Sequence, residues 1–232
     1  MTQAPSVATQ DYLKQIYHLQ EETGRATTQE LAECLGVKPS SVTAMLKHLA
    51  TDPAGPYVRH TPYHGAELTD KRLTVALEMV RHHRLIEQFL AELLDMPWDR
   101  VHAEAERLEH VLLEELEERI AAKLGHPTHD PHGDPIPSRE GTIASNGRIA
   151  LSAPPVGVRA TVMRVPDGDP ALLRYLSTLG LVPDAVVAVE AVAPYGDVLT
   201  VRVGAAAHAV GVAIARRVRV APLARLHDDT PS

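Results

Sequence analysis

The stretch TTQELAECLGVKPSSVTAMLKHLA, residues 27–50, decides the fold of the first part of the chain. Thr27 followed three residues later by Glu30 is a capping box, in which a hydroxyl and a carboxylate each satisfy a backbone amide at a helix start. Leu31, Ala32 and Leu35 then share one helical face. Gly36 and Val37 make a tight turn, and Pro39 falls in the first turn of the next helix, where proline is tolerated. That helix is expected to bury Val42, Met45, Leu46 and Leu49. Lys38, Pro39, Ser40, Ser41, Thr43, Lys47 and His48 are left for its other faces. Small hydroxyls and lysines on the free face of a helix-turn-helix suit contact with phosphates and base edges. The same pattern also fits a plain three-helix core.

Outward from this stretch, TQDYLKQIYHLQEE (9–22) places Tyr12, Leu13, Ile16, Tyr17 and Leu19 at helical spacing. Downstream, DPAGP breaks the chain, and YVRHTPYHGAELT reads as two short strands around a turn at His64-Gly65. Arg59, His60, His64 and nearby Lys71 make this hairpin resemble the wing of a winged helix. Two long helices follow, over about 70–95 and 99–124, separated by MPW. Residues 126–148 are rich in proline and glycine and read as a connector. Beyond it, VRATVMRV, AVVAVEAVA, VLTVRVG and AHAVGVAIARRVRVAP are short β-rich runs with one helix-like piece, PALLRYLSTLG. Short strands with turns predict a small β-barrel. The last six residues are expected to fray.

Composition bounds the function. With one cysteine, Cys34, a disulfide framework is excluded and a reducing, cytoplasmic compartment fits. Cys34 stands at an apolar helix position and reads as a small core residue. No secretory signal opens the chain, and no apolar run is long enough to cross a membrane. The net charge of −7 is uneven. Residues 75–140 hold seven Lys/Arg against fifteen Asp/Glu and seven of the thirteen histidines. A nucleic-acid binder usually carries a basic footprint, so the acidic middle needs something to neutralise it.

VHAEAERLEH (101–110) offers His102, Glu106, Glu109 and His110. At about 100° per residue, all four lie on one side of a helix, bordering the stripe of Val101, Ala105 and Leu108. Carboxylates at the edge of a buried stripe need a partner, and a divalent cation is one. RHHRLIEQF adds His83 and Glu87 one turn apart on the preceding helix. Packed antiparallel, the two helices would bring His83, Glu87 and His102 into one site and Glu106, Glu109 and His110 into another. A solvated acidic face is the alternative, and Glu114, Glu115, Glu117 and Glu118 read that way. The loop histidines His126, His129 and His132 read as turn residues.

In order, QDYLKQIYHL, the helix-turn-helix, VRHHRLIEQFL, VHAEAERLEHVL and DPHGDPIP resemble the metal-dependent repressors of the DtxR/MntR type, and the last third, with TLGLVPDA, resembles their FeoA-type barrel. The resemblance covers nearly the whole chain. It implies an α+β multidomain protein: a winged helix-turn-helix DNA-binding domain over 1–72, a helical dimerisation and metal-binding domain over 73–140, a linker over 141–151 and a FeoA-like small β-barrel over 152–226. It implies a primary metal site of Asp11, Glu106, Glu109 and His110, and an ancillary site of His83, Glu87 and His102. Asp11 and Glu106 stand where iron-selective members carry sulfur ligands, so the oxygen-rich set resembles the manganese-responsive subgroup. Mn(II) is the expected ion and Fe(II) the second candidate. Lys14 stands where manganese-type members often place another acidic ligand, which argues against a close manganese pair. Asp167 or Asp169 is a candidate for a ligand from the barrel. The implied partners are a second copy of the chain and a palindromic DNA operator, with no membrane. A metal buffer or a metalloenzyme without DNA binding is the rival reading. The chain lacks His-Glu-x-x-His, a phosphate-binding glycine loop and Gly-x-Ser-x-Gly, so no enzyme is expected.

Overall fold

The structure is a computed structural model and describes residues 5–62, 64–143 and 147–223. The expected barrel end at 226, the terminal residues 227–232 and the side chain of Lys71 lie outside what is described. The chain divides into two compact units: Met1–Leu85 with Glu106–Arg119 and Ile136–Ile143, and Ile86–Ala105 with Ile120–Pro135 and Ala144–Ser232.

The first unit opens with α1 (Val7–Thr23), capped by the Ser6 side chain and ended by Gly24 in the left-handed region. The capping box starts α2 (Thr28–Leu35), with Thr27 accepting from the Glu30 amide and Glu30 accepting from the Thr27 amide. Gly36 then turns the chain at φ 64°, and α3 (Pro39–Ala50) buries Val42, Leu46 and Leu49. These pack with Leu13 and Ile16 of α1, Leu31 of α2, and Val58 and Leu68 of the hairpin into one core. The hairpin is β1 (Val58–Thr61) against β2 (Gly65–Leu68), antiparallel. Two backbone bonds between Ala26 and Ala66 fasten it to the loop before α2. Gly65 has to be glycine: its φ is +96°, and a Cβ would stand 2.5 Å from the Ala26 carbonyl oxygen.

Two expectations need correction. Cys34 is exposed, because α2 turns Leu31 and Ala32 to the core and Cys34 away from it. The helix expected over 99–124 is broken into α5 (Trp98–Leu108), a 3-10 turn (Glu109–Val111) and α6 (Glu114–Lys123), with Leu112 extended between them. Neighbouring residues of a continuous α-helix point about 100° apart. The interruption lets Glu109 and His110 both turn inward. Along α4 (Asp70–Leu94), Leu77, Val80, Leu85 and Leu90 are buried within the subunit. Around the break between α5 and α6, Val111 (71%), Leu113 (73%) and Leu116 (50%) are strongly exposed apolar side chains.

The second unit carries a six-stranded sheet in the order β3 (Ile149–Ala150), β8 (Arg219–Pro222), β4 (Arg159–Arg164), β5 (Val186–Val192), β6 (Val198–Val203) and β7 (Ala206–Gly211). Every neighbouring pair is antiparallel. Alternation puts Leu199 and Val201 inside, where they meet Val162, Val189 and Val220. Two helices, α7 (Pro170–Thr178) and α8 (Val212–Ala215), accompany the sheet, and α7 closes the core with Leu173 and Leu176. This is the small β-domain expected for the last third, with no pairing described between the end strands β3 and β7. Among the described residues no helix is long and apolar enough to cross a membrane.

Candidate metal centres and DNA-facing surface

In the first unit, α1 supplies Asp11 and Lys14, α4 supplies His83, the end of α5 supplies Glu106, and the 3-10 turn supplies Glu109 and His110. Ligand atoms of Asp11, Glu109 and His110 lie within 4.8 Å of one another. His110 reaches Asp11 Oδ1 with Nε2 at 2.9 Å and Gln10 Oε1 with Nδ1 at 2.8 Å. Glu109 is fully buried, with one oxygen 2.5 Å from His83 Nδ1 and the other 2.6 Å from Lys14 Nζ. Lys14 also donates to Glu106 at 2.7 Å.

The electrostatics follow from this packing. Burial raises the Asp11 carboxyl above its ordinary value, against the pull of His110 and Lys14. Burial pushes Glu109 the same way, but its bonds to His83 and Lys14 outweigh it and hold the carboxyl below its usual range. Burial opposes the charge on Lys14, yet Glu109 and Glu106 prevail and raise its pKa. Mutual repulsion of Asp11, Glu106 and Glu109 is therefore not the whole balance of this cluster. A single lysine ammonium already touches two of the three carboxylates and offsets one unit of their charge. His83, grouped in the sequence reading with Glu87 and His102, is hydrogen-bonded here to Glu109.

The second unit holds a cluster of its own residues. Glu87 of α4 is fully buried, and His102 of α5 lies 3.1 Å from its Oε1 through Nδ1. The same His102 nitrogen lies 3.7 Å from Asp167, in the loop after β4. His132, from the proline-rich loop, is fully buried, with Nδ1 3.9 Å from Glu87 Oε2. Ligand atoms of Glu87, His132 and Asp167 lie within 4.8 Å of one another. His132 lies in a turn, as expected, but its ring is buried rather than turned to solvent. Its loop is held by Asp130, which accepts from the amides of His132 and Asp134, and by a bond from the Val165 amide to the His132 carbonyl. Gly133 lets the loop press on β4, since a Cβ there would lie 1.9 Å from the Met163 carbonyl oxygen. Asp169, the other barrel candidate, is engaged in capping α7.

Both donor sets suit a divalent ion. Oxygen and imidazole without thiolate favour the harder first-row ions. The second cluster adds a fully enclosed His132 Nδ1 that makes no hydrogen bond among the described residues. A cation answers such a lone pair beside carboxylates.

Along α3 of the first unit and the residue before it, Lys38, Pro39, Ser40, Ser41, Lys47 and His48 are exposed and Thr43 is half-buried. Arg59 of the wing is exposed as well.

Three family descriptions match successive stretches of this chain. Residues 6–66 match the N-terminal DNA-binding domain of iron-dependent repressors, residues 69–138 their metal-binding and dimerisation domain, and residues 149–222 the FeoA domain. An iron-dependent repressor, IdeR, of Mycobacterium leprae (strain TN) is 33% identical over 206 residues, 83% of this chain and 87% of that protein. The chain belongs to the iron-dependent repressor family. Within the family, a solved manganese-dependent transcriptional repressor in complex with manganese superposes with a TM-score of 0.84 at 38% identity, covering 92% of this chain and 99% of that one. The HTH-type transcriptional regulator MntR of Geobacillus kaustophilus (strain HTA426) is 38% identical over 108 residues, 47% of this chain and 74% of that protein.

For this repressor-family chain, residue spacing did not join His132 to Glu87 and left Asp167 undecided. The sequence marks the His132 loop only by the glycine and prolines that bracket it in DPHGDPIP.

Proposed function

We propose that the chain is a metal-dependent DNA-binding repressor of manganese or iron homeostasis, with Mn(II) or Fe(II) as corepressor. Its domains run over 1–72, 73–140 and 152–226 with a linker over 141–151. The observation that carries this reading is the convergence of Asp11, from the first helix of the DNA-binding part, on Glu109 and His110. Asp11, Glu106, Glu109, His110 and His83 hold one ion. Glu87, His102, His132 and Asp167 hold a second. A bound divalent ion supplies positive charge that neutralises the carboxylates around it.

The residues do the rest. Asp11 and Lys14 sit one turn apart on α1, so whatever fixes Asp11 fixes the helix that packs on α2 and, through their shared core, on α3. Lys14 anchors the same helix to Glu106 and Glu109 before any ion arrives. An ion shifts the ensemble only by its preference for the clamped arrangement. In a dimer, the clamp sets the separation of two α3 helices, which then match two halves of a palindromic operator. Lys38, Ser40, Ser41, Thr43, Lys47 and His48 face the DNA. The match to a dimerisation domain over residues 69–138 supports a homodimer, and Val111, Leu113 and Leu116 offer the apolar surface for it. No catalytic role is assigned, in keeping with a family of repressors.

A gel shift with promoter fragments, in Mn(II), in Fe(II) and in chelator, tests the reading. Retardation that depends on metal is expected. Metal binding without any metal-dependent shift would favour a buffer or an enzyme.

A further inference from the structure

His132 has two ring nitrogens in different surroundings. Nε2 lies 2.9 Å from the Trp98 carbonyl oxygen, which can only accept a hydrogen bond. The proton of the neutral ring therefore sits on Nε2, and Nδ1 carries the lone pair. That nitrogen is enclosed, makes no hydrogen bond among the described residues, and faces Glu87 Oε2 at 3.9 Å. The Trp98 indole stacks on the same ring, with centroids 5.8 Å apart and planes 22° from parallel.

The His132 backbone is fixed at both ends, by Asp130 at its amide and the Val165 amide at its carbonyl. What remains free is rotation of the side chain, and Trp98 removes it twice, with its carbonyl and with its ring. Trp98 in turn packs against the core of the second unit. The arrangement links three parts of the fold: the start of α5, the proline-rich loop, and the connection after β4 that carries Asp167.

We infer that Trp98 is a positioning residue, which locks His132 in the Nε2–H tautomer so that Nδ1 is a preformed metal donor beside Glu87 and Asp167. The inference rests on the second metal cluster of the proposed function. A partner that orients a ligating histidine through its other nitrogen typically changes metal affinity by about 10–100-fold when it is lost.

The test uses the full chain with ¹⁵N-labelled histidine rings, and the His132 signals are assigned from their absence in His132→Gln. In the metal-free protein, long-range ¹H–¹⁵N spectra are expected to show a protonated Nε2 and an unprotonated Nδ1 for His132. On loading with ¹¹³Cd(II), Nδ1 should couple to cadmium while the Nε2 proton stays. Trp98→Phe, which keeps a ring and the backbone carbonyl, should hold the tautomer and bind cadmium within a few-fold of wild type. Trp98→Ala keeps the carbonyl but removes the stacked ring, so the tautomer should persist while the affinity weakens by about 10–100-fold.

A protonated Nδ1 in the metal-free wild type, or coupling through Nε2, overturns the inference. So does a Trp98→Ala protein that binds cadmium as tightly as wild type. Should Trp98→Ala not fold, the wild-type spectra alone decide. If no ion binds the second unit, the metal reading fails while the tautomer in the metal-free protein still judges the role of Trp98.

Discussion

Lys14 Nζ lies between two carboxylates, 2.6 Å from Glu109 Oε1 and 2.7 Å from Glu106 Oε1, with only 3% of the lysine side chain exposed. The ammonium occupies a place where a cation belongs, in a cluster that also gathers Asp11 and His110. Removing one member of a buried ion pair leaves the other uncompensated, at a cost of about 3–5 kcal/mol. Glu106 is 36% exposed and recovers water, so the cost falls mainly on Glu109, which is fully buried. Lys14→Met should therefore lose about 3 kcal/mol of stability in chelator, at the low end of that range. Mn(II) should restore much of it. Denaturant melts with and without metal measure both, and unchanged stability in chelator would count against the pair. Lys14→Glu should raise the number of Mn(II) ions bound by the first unit by one, which a titration followed by the spin-resonance signal of free Mn(II) reads directly.

Of Asp11, Glu109 and His110, whose ligand atoms converge in the first cluster, only Asp11 comes from α1. Asp11→Ala keeps the α1 core residues Leu13 and Ile16 untouched, since both point away from the cluster into the winged-helix core. The variant should fold and dimerise as wild type by light scattering. Its operator affinity should become nearly independent of Mn(II). A full metal response in Asp11→Ala would falsify the clamp between the DNA-binding helix and the 3-10 turn.

The capping box at α2 offers a test of the DNA-binding part alone. Bonds from the Thr27 side chain and backbone hold the Glu30 carboxyl below its ordinary value. A carboxyl with a depressed pKa stabilises the fold above its unfolded pKa, near 4.5, and that contribution fades as pH falls through the lower folded value. Thr27→Ala should cost about 1 kcal/mol at pH 7. The gap between variant and wild type should shrink as the pH drops below the ordinary range of glutamate. Denaturation midpoints recorded from pH 7 down to 3 check this, and a gap that is constant across the series counts against a charged cap.

How much of this was legible depended on distance along the chain. Residues 27–50 declare themselves because capping, turning and apolar spacing are local signals, and the structure places Thr27, Glu30, Gly36 and Leu46 in the roles those signals give them. Glu106, Glu109 and His110 are adjacent enough to be noticed, but periodicity placed them on one long helix. The 3-10 turn is set by what Glu109 meets, Lys14 and His83, and neither lies near it in sequence. The second cluster is harder still. Glu87, His132 and Asp167 come from a helix, a loop and a sheet connection, so no spacing rule joins them.

The proposed DNA face can be weighed charge by charge. Lys47 is exposed near the end of α3, and a lysine that neutralises one phosphate contributes about one unit to the slope of log affinity against log salt. Lys47→Ala should weaken binding to operator and to unrelated DNA alike and reduce that slope by about one. Ser41→Ala, on the same helix, should weaken operator binding more than non-specific binding if the hydroxyl reaches a base edge. Equal losses for both DNAs in Ser41→Ala would move Ser41 to the phosphate-contacting group.

The apolar surface at the break between α5 and α6 yields the last prediction. Val111 and Leu113 are more than two-thirds exposed, and Leu116 is half exposed, in a segment otherwise dense in glutamate. Exposed large apolar side chains grouped in this way mark a surface that another chain covers. The negative charge nearby would oppose self-association unless the apolar contact is extensive, so a new carboxylate in its middle should tip the balance. Val111→Glu with Leu113→Glu should shift the protein from dimer to monomer in sedimentation at micromolar concentration. Neither residue contributes a ligand, so each subunit should still bind Mn(II), while operator affinity falls because two recognition helices are no longer joined. A double variant that sediments as wild type would move the dimer seam elsewhere on the helical domain.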